Sequence, residues 1–304
     1  ILFESDSTVL SLNFFSQNRD IATSDFFFTP VTAKGNTLSY RLYAGTAYIE
    51  YVYKLADAGY QLSYDVNLSG MNQVIASNLS YLALDWHQNI YKKEKSQKAE
   101  SSNSTIYYKY PEETADYLSQ TSDDQENLTT KVKWISFKQQ YFNTTLIASS
   151  AFDKPTRISV VNHKDSDSLV KTMNASLTIP YGHKPFESFG MSFYFGPNHY
   201  QTLKSYDIGL EKLVPLGWGI FGWVNRFIVI PIFNFLNKFD LNYGIIILIL
   251  TIAIKLMLLP LTYKAYISTA KMKVLKPEME ELQAKHKDDP MKSQQELQIG
   301  RAHV

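Results

Sequence analysis

The chain has 304 residues, of which 45% are hydrophobic, 14% aromatic and 19% charged, and its mean hydropathy of −0.21 is that of an ordinary soluble protein. Its 30 basic and 29 acidic side chains nearly cancel, which argues against a polyanion-binding protein and against an acidic-tail protein. The absence of cysteine excludes disulfides, cysteine–zinc sites and thiol nucleophiles, and 21 Tyr with 18 Phe are too many for a disordered chain.

The first two thirds of the chain have the pattern of a β domain. Residues 1–206 are rich in Ser, Thr, Asn and Tyr, and apolar and polar residues alternate at 38–43, 60–68 and 177–179. Alternation with a period of two predicts half-buried strands, and turn formers separate them. The sequence therefore predicts an antiparallel β-sandwich or barrel. We expect residues 92–103, which are mostly polar and charged, to form an exposed loop.

The composition changes abruptly at residue 213. The first apolar element there, 220–236, places Phe, Val and Ile side chains at helical spacing on one stripe, with Asn, Arg and Lys on the other half of the helix. The nearby Trp218 and Trp223, together with Arg226, are typical of a helix that lies in a membrane interface. Taken alone, the same pattern also fits a buried helix of a soluble core.

The second apolar element predicts a membrane span. Residues 244–261 contain a single charge in 18 residues, and such a helix is about 27 Å long, close to the thickness of the hydrocarbon of a bilayer. After the span the sequence has four lysines before its first acidic residue, Glu278. The positive-inside rule therefore places these lysines in the cytoplasm and the β domain outside. The lysines are Lys264, Lys271, Lys273 and Lys276.

Lys255 is the one charge in this predicted span. It lies about 16 Å from Gly244 along the helix, where a charged side chain costs on the order of 3 kcal/mol unless it reaches water. Two interpretations stay open: the ammonium extends toward the cytoplasmic interface, or it faces a wet groove inside the bilayer. Pro260 leaves the carbonyl of Leu256 without its helical donor and predicts a kink beside the charge.

Beyond the span, the sequence predicts a charged helical hairpin. Residues 263–276 are compatible with a helix, and Pro277 followed by Glu278 has the pattern of a new helix start. Asp288-Asp-Pro290 predicts a turn, after which 291–298 would begin a second, antiparallel helix.

Three runs of sequence together resemble the YidC/Oxa family of membrane protein insertases, in its bacterial form with a large periplasmic domain. Each run is weak alone, but their order and spacing are specific. They are Trp-Ile-Ser-Phe-Lys-Gln-Gln-Tyr-Phe at 134–142, Phe-Gly-Pro at 195–197, and Ile-Lys-Leu-Met-Leu-Leu-Pro-Leu-Thr at 254–262 followed by Ala-Lys-Met-Lys-Val-Leu-Lys-Pro at 270–277.

The resemblance implies an insertase without covalent chemistry, catalytic residues, cofactor or metal. Lys255 matches the family's basic residue in a hydrophilic intramembrane groove, where the bacterial members usually carry Arg, so a point charge replaces a bidentate group. The implied fold is a mainly-β periplasmic supersandwich followed by an interfacial helix, one transmembrane helix and the start of a cytoplasmic hairpin. The implied segments are a periplasmic domain at 1–206, a linker with the interfacial helix at 207–243, the span at 244–262 and the hairpin at 263–298.

The resemblance also implies the location and the partners. The protein would be a multi-pass protein of the bacterial inner membrane. Its partners would be nascent inner-membrane proteins, the Sec translocon with its accessory subunits, the ribosome or the signal-recognition machinery, and membrane lipids, with no direct recognition of nucleic acid.

Two other classes of protein share some features with this sequence. A glycosylated single-span receptor is suggested by six Asn-x-Ser/Thr triplets, but such triplets arise by chance in this composition, and a receptor gives no reason for Lys255. A membrane-anchored hydrolase would need a nucleophile elbow, a metal motif or a phosphate loop, none of which the sequence contains. The histidines at 87, 163, 183 and 199 are scattered, and we expect them on surfaces or loops.

Both ends of the sequence have the pattern of a fragment. The first residues, Ile-Leu-Phe, are neither an initiator nor a signal peptide, and a first membrane anchor is expected before them. A common sequencing-adapter stretch translates to Ile-Gly-Arg-Ala-His-Val, so we expect residues 299–304 to be an artefact.

Overall fold

A computed structural model describes residues 7–164, 166 and 168–285. By its internal contacts the chain divides into two compact units, one ending at Pro215 and the other beginning at Leu216.

The first unit is built from antiparallel strands, with short helices at its connections. In the described residues the strands are β1 (Thr8–Ser16), β2 (Arg19–Ala22), β3 (Thr29–Lys34), β4 (Thr37–Ala44), β5 (Ala47–Leu55), β6 (Gln61–Ser69), β7 (Tyr81–Tyr91), β8 (Thr105–Lys109), β9 (Asp116–Tyr117), β10 (Asp124–Leu128), β11 (Val132–Lys138), β12 (Phe142–Asn162), β13 (Leu169–Pro180) and β14 (Phe186–Pro197). The helices are α1 (Gln97–Ser102) and α2 (Tyr200–Lys204), with 3-10 turns at Thr23–Asp25, Met71–Gln73 and Leu210–Leu213.

These strands form two layers that share one long strand, β12. One layer has the order β2-β1-β7-β13-β12-β10, and the other has the order β9-β8-β11-β12-β14-β6-β5-β4-β3. Residues 142–148 of β12 pair with β11 and β14, whereas residues 153–162 pair with β10 and β13. The register shifts between Asp153 and Arg157, where β12 passes from one layer to the other. A strand that changes sheets at a bend forms the corner of a β-sandwich.

The hydrophobic core lies between the two layers. In β7 every second side chain is buried, as the period of a strand requires. Trp86 of β7 stacks on Phe137 of the opposite layer with 3.7 Å between ring centroids, and it meets Phe193 edge-on at 6.0 Å. The predicted class, a large antiparallel β domain followed by helices, is confirmed.

The segment predicted as an exposed loop at 92–103 contains α1, so that prediction is wrong for its second half. The Ser96 hydroxyl accepts a hydrogen bond from the Ala99 N–H (3.3 Å) and caps the helix. Glu100 is only 3% exposed, because its carboxylate accepts from the backbone N–H groups of Lys93 (3.1 Å) and Glu94 (3.3 Å). The polar composition of this segment did not indicate a helix, because the Ser96 and Glu100 side chains that stabilise it bond to backbone N–H groups.

Two buried lysines hold the chain on either side of β8 and β9. The Lys138 ammonium donates to the Asn103 carbonyl (2.6 Å), and the Lys171 ammonium donates to the carbonyls of Ser104 (2.5 Å) and Gln120 (2.8 Å). Neither side chain is more than 3% exposed. Desolvation by burial lowers the pKa of each ammonium to about 8.

This depression of pKa predicts that the β domain becomes more stable as pH rises from 8 to 10. In that window the folded chain has released protons that the unfolded chain still binds, so the burial penalty present at pH 7 is relieved. We expect the free energy of unfolding to rise by about 2 kcal/mol for each lysine, or about 4 kcal/mol for the two, measured by urea unfolding in detergent and followed by the circular dichroism of the β-sheet. Lys171→Met should weaken this rise, whereas the exposed Lys154→Met should leave it unchanged. Equal slopes in both variants would contradict the assignment.

The second unit, as far as it is described, is helical. It contains α3 (Gly219–Val224), a π-helical turn (Asn225–Val229), α4 (Ile230–Asn237) and α5 (Tyr243–Lys285). Pro231 has no N–H to give to the preceding turn, which accounts for the wide turn in front of it. By length and composition, Gly219–Asn237 and Tyr243–Val274 could each cross a membrane.

Helix α5 continues through both of its prolines, Pro260 and Pro277. The new helix start predicted at Pro277 is therefore wrong, because the helix tolerates the loss of one hydrogen bond there. The predicted turn at 288–290 and the second helix at 291–298 lie outside the described residues.

Candidate functional site

The first part of the candidate site is the closely packed end of the β domain that comes next to the membrane segments in sequence. Trp134 of β11 is fully buried, and its indole N–H donates to the Ile208 carbonyl (2.9 Å). Around it lies a small cluster separate from the main core. The buried members of this cluster are Tyr107, Trp134, Ile147, Tyr194, Leu203, Leu210 and Leu213.

This cluster binds residues 200–215 to the sandwich. Leu203 of α2 and the turn residues Leu210 and Leu213 are all 0% exposed. The compact unit accordingly runs to Pro215, nine residues beyond the domain limit predicted from composition. Sequence reasoning missed this because the segment is short and its apolar residues have no clear period.

The two motifs of this domain that carry the family resemblance are neighbours in the fold. Phe142, at the end of one motif, pairs with Pro197 of the other. The Asn198 side chain donates to the carbonyls of Gln139 (2.8 Å) and Gln140 (3.2 Å) and so fixes the β11–β12 turn. The motifs therefore build one structural corner.

Gly196 in this corner is required by close packing. A Cβ built on it would lie 2.6 Å from the Tyr194 ring and 2.8 Å from the Tyr60 ring, closer than side chains pack. The Tyr194 hydroxyl donates to the Pro197 carbonyl (2.8 Å), which holds the ring in place. The glycine of the Gly-Pro pair is thus explained by packing.

The four histidines of the β domain, all within the described residues, do not form a shared centre. His87 lies in a polar groove of about 600 Å³ that Asp85, Glu126 and Arg157 also line, and its ring bonds to Asn174 (2.7 Å). The other three bond separately, namely His163 to Thr172, His183 to the Leu79 carbonyl and His199 to Thr202. Among the described residues, no cluster of His, Asp or Glu could hold a metal ion.

The predicted interfacial residues lie on exposed faces of the second unit. Trp218 is 83% exposed and Trp223 is 55% exposed, and each meets a phenylalanine of the next helical turn. Arg226 is exposed within the π-helical turn. Such a helix suits a membrane environment, and its interfacial placement stays a prediction.

Lys255 lies on the side of α5 that faces away from α4. Ile246 and Leu250, the buried residues of the described part of α5, mark the side packed against α4, and Phe233 stacks on Tyr243 with 6.3 Å between centroids. At 100° per residue, Lys255 is about 180° from Ile246 and about 140° from Leu250. Its side chain is exposed. Pro260 lies one turn further along the helix.

The four lysines after the predicted span are also exposed and distributed around α5. They are Lys264, Lys271, Lys273 and Lys276. The sequence contains no Asp or Glu between Asp240 and Glu278.

Comparison with known proteins places both units in one family. Residues 2–234 match the model of the YidC periplasmic domain, and residues 235–299 match the model of the 60 kDa inner membrane protein. A membrane protein insertase YidC of Parabacteroides distasonis is 40% identical over 88% of this chain and 44% of its own length. One of Bacteroides fragilis is 35% identical over 98% of this chain and 49% of its own length. The chain thus spans about half the length of these relatives.

A solved structure also matches the β domain distantly. A galactose mutarotase-like protein from Lactobacillus casei is 8% identical, with a TM-score of 0.41 over 62% of this chain and 84% of its own. So slight a likeness carries no argument about function. Two family models over 2–299, and relatives whose identity extends through the helices around Lys255, show that the chain belongs to the YidC family of membrane protein insertases.

Proposed function

We propose that the protein inserts inner-membrane proteins, and helps them fold, through a hydrophilic groove in the bilayer that contains Lys255. The observation that carries this proposal is the placement of one cation, Lys255, within the otherwise uncharged span 244–261, on the side of α5 opposite α4. A charge at that depth is costly unless water or a partner meets it. The side away from α4 is available to further helices that would complete a wet groove with α5.

The proposed mechanism needs no covalent step. A wet groove shortens the hydrocarbon that the polar end of a client must cross, and the Lys255 ammonium attracts acidic residues of that end. Lysine acts here as a point charge, without the bidentate pairing of the arginine that the family usually carries. The apolar segment of the client then moves sideways into lipid, because its own burial there is favourable.

The proposed setting follows from the same features. The β domain would be periplasmic, the lysines after the span cytoplasmic, and the whole protein multi-pass in the inner membrane. The exposed Trp218, Trp223 and Arg226 support an interfacial helix within 207–243. The partners would be nascent inner-membrane proteins, the Sec translocon with its accessory subunits, the ribosome or signal-recognition machinery, and lipids.

The proposal is tested by expressing the complete gene from its native locus in a bacterial strain depleted of its own insertase. We expect it to restore insertion of a single-span client with an acidic translocated tail, measured by protease protection of that tail. A client that is inserted spontaneously serves as the control for membrane integrity. If the client tail were protected from protease no more than in the depleted strain, although the protein was correctly located in the membrane, the proposed function would be refuted.

A further inference from the structure

The polar side chains of α5 lie on a single stripe that includes Lys255. Residues 244–262 contain three polar side chains, those of Thr251, Lys255 and Thr262. At 100° per residue, Thr251 is about 40° and Thr262 about 20° from Lys255 around the helix. Three polar residues in an apolar helix therefore share one face.

The stripe continues beyond the predicted span. Tyr266, eleven residues after Lys255, is about 20° away from it, and Thr269 is about 40° away. Lys273 is 18 residues after Lys255, which is five full turns, so the two ammonium groups are on the same side and about 27 Å apart. Leu248 and Leu259 also lie near this stripe, so it is amphiphilic rather than wholly polar. Each of these side chains is exposed.

Two of the three remaining lysines of this region lie on the opposite side of the helix, whereas Lys276, about 60° from Lys255, lies at the edge of the stripe. Lys264 lies about 180° from Lys255, on the side of Ile246, and Lys271 lies about 160° away. Of the four lysines after the span, Lys273 is the one whose angle around the helix matches that of Lys255.

The threonine hydroxyls are arranged so that the stripe is compatible with an apolar environment. Thr251 donates to the Ile247 carbonyl (2.7 Å), Thr262 to the Leu258 carbonyl (2.9 Å) and Thr269 to the Ala265 carbonyl (2.9 Å). Each hydroxyl proton is satisfied within the helix, while the oxygen keeps acceptor capacity toward a ligand or water. The face thus offers acceptors along its length and cations at Lys255 and Lys273.

We propose that this stripe, from Lys255 to Lys273, is the surface along which the acidic polar segment of a client moves, with Lys273 as its contact at the cytoplasmic end. The inference rests on the proposed function and adds the second cation and the path to it. Charge complementarity selects the occupant, because the sequence has no Asp or Glu between Asp240 and Glu278. An extended chain covers 27 Å in about eight residues. Clients whose acidic residues are about eight positions apart are therefore expected to engage both lysines at once.

The test compares Lys273→Gln with Lys264→Gln in the full-length protein. Both variants remove one positive charge from the same helix, but only Lys273 lies on the stripe. With a client carrying two aspartates eight residues apart, we expect Lys273→Gln to lower insertion about fivefold and Lys264→Gln less than twofold. With the same client carrying asparagines instead, the two variants should behave alike. A photo-crosslinking residue should reach the client tail from position 266 on the stripe, and not from position 268 on the other side.

The outcomes separate this inference from the proposed function. Equal effects of Lys273→Gln and Lys264→Gln, in a parent protein that inserts the client, would overturn the stripe and leave the insertase standing. Crosslinks from position 266 to lipid or to other helices of the same protein, but not to the client, would overturn it as well. Failure of the parent to insert any client would instead refute the proposed function.

Discussion

Lys255→Ala is expected to lower insertion of an acidic-tailed single-span client by more than tenfold, whereas Lys255→Arg should retain most of it. The alanine variant removes the one charge of the predicted span and leaves the acidic tail without a partner in the bilayer. A tenfold loss corresponds to about 1.4 kcal/mol, which is less than the cost of placing one unpaired charge at that depth. The arginine variant keeps the positive charge and adds donors.

The measurement is protease protection of the client tail in cells that depend on this protein. Lys238→Ala, which removes a positive charge outside the predicted span, is the matched control and should insert the client normally. A second arm replaces the acidic residues of the client with asparagine and should reduce the difference between Lys255→Ala and the parent. The role of Lys255 is wrong if Lys255→Ala inserts the acidic client as well as the parent does.

An extension of Lys255 toward the interface makes a different prediction. In that case the Lys255 ammonium reaches interfacial water and does not contact the client. Its removal should then stabilise the helix in the membrane and leave insertion of the client unchanged. Alanine at this position therefore separates the two interpretations that the sequence left open.

Local pattern predicted several strands of the β domain and the apolar part of α5, but it did not predict α1 or the long-range packing. The alternation at 38–43 and 60–68 corresponds to β4 and β6, and the apolar run at 244–261 lies within α5. The buried lysines Lys138 and Lys171 could not be found in this way, because their acceptors are backbone carbonyls 35 to 67 residues away in sequence. The passage of β12 between the layers likewise depends on pairings that no short window contains.

The candidate site shows the same division. Lys255 could be predicted because a charge in an apolar run is conspicuous in sequence, and the helical repeat then fixes its angle to α4. The hydrogen bond from the Trp134 indole to the Ile208 carbonyl joins residues 74 positions apart. The motif that contains Trp134 was therefore visible in the sequence, but its structural role was not. The fold supplies that reason, since the motif closes the end of the β domain from which the membrane segments follow.

Trp134→Ala should destabilise the β domain by about 3–5 kcal/mol and loosen the segment that leads to the membrane helices. The change opens a large cavity in the cluster that holds Leu203, Leu210 and Leu213, and it leaves the Ile208 carbonyl without its donor.

The effect on the segment is measured by limited trypsin digestion, since Lys204 and Lys212 are exposed within the segment and cleavage there requires it to leave the sandwich. We expect faster cleavage at both sites together with a lower unfolding midpoint. Trp134→Phe keeps most of the apolar volume and loses only the indole donor, so it should fall between the alanine variant and the parent. If trypsin cut the alanine variant and the parent at equal rates, Trp134 would not be the residue that fastens this segment, and the motif would need another explanation.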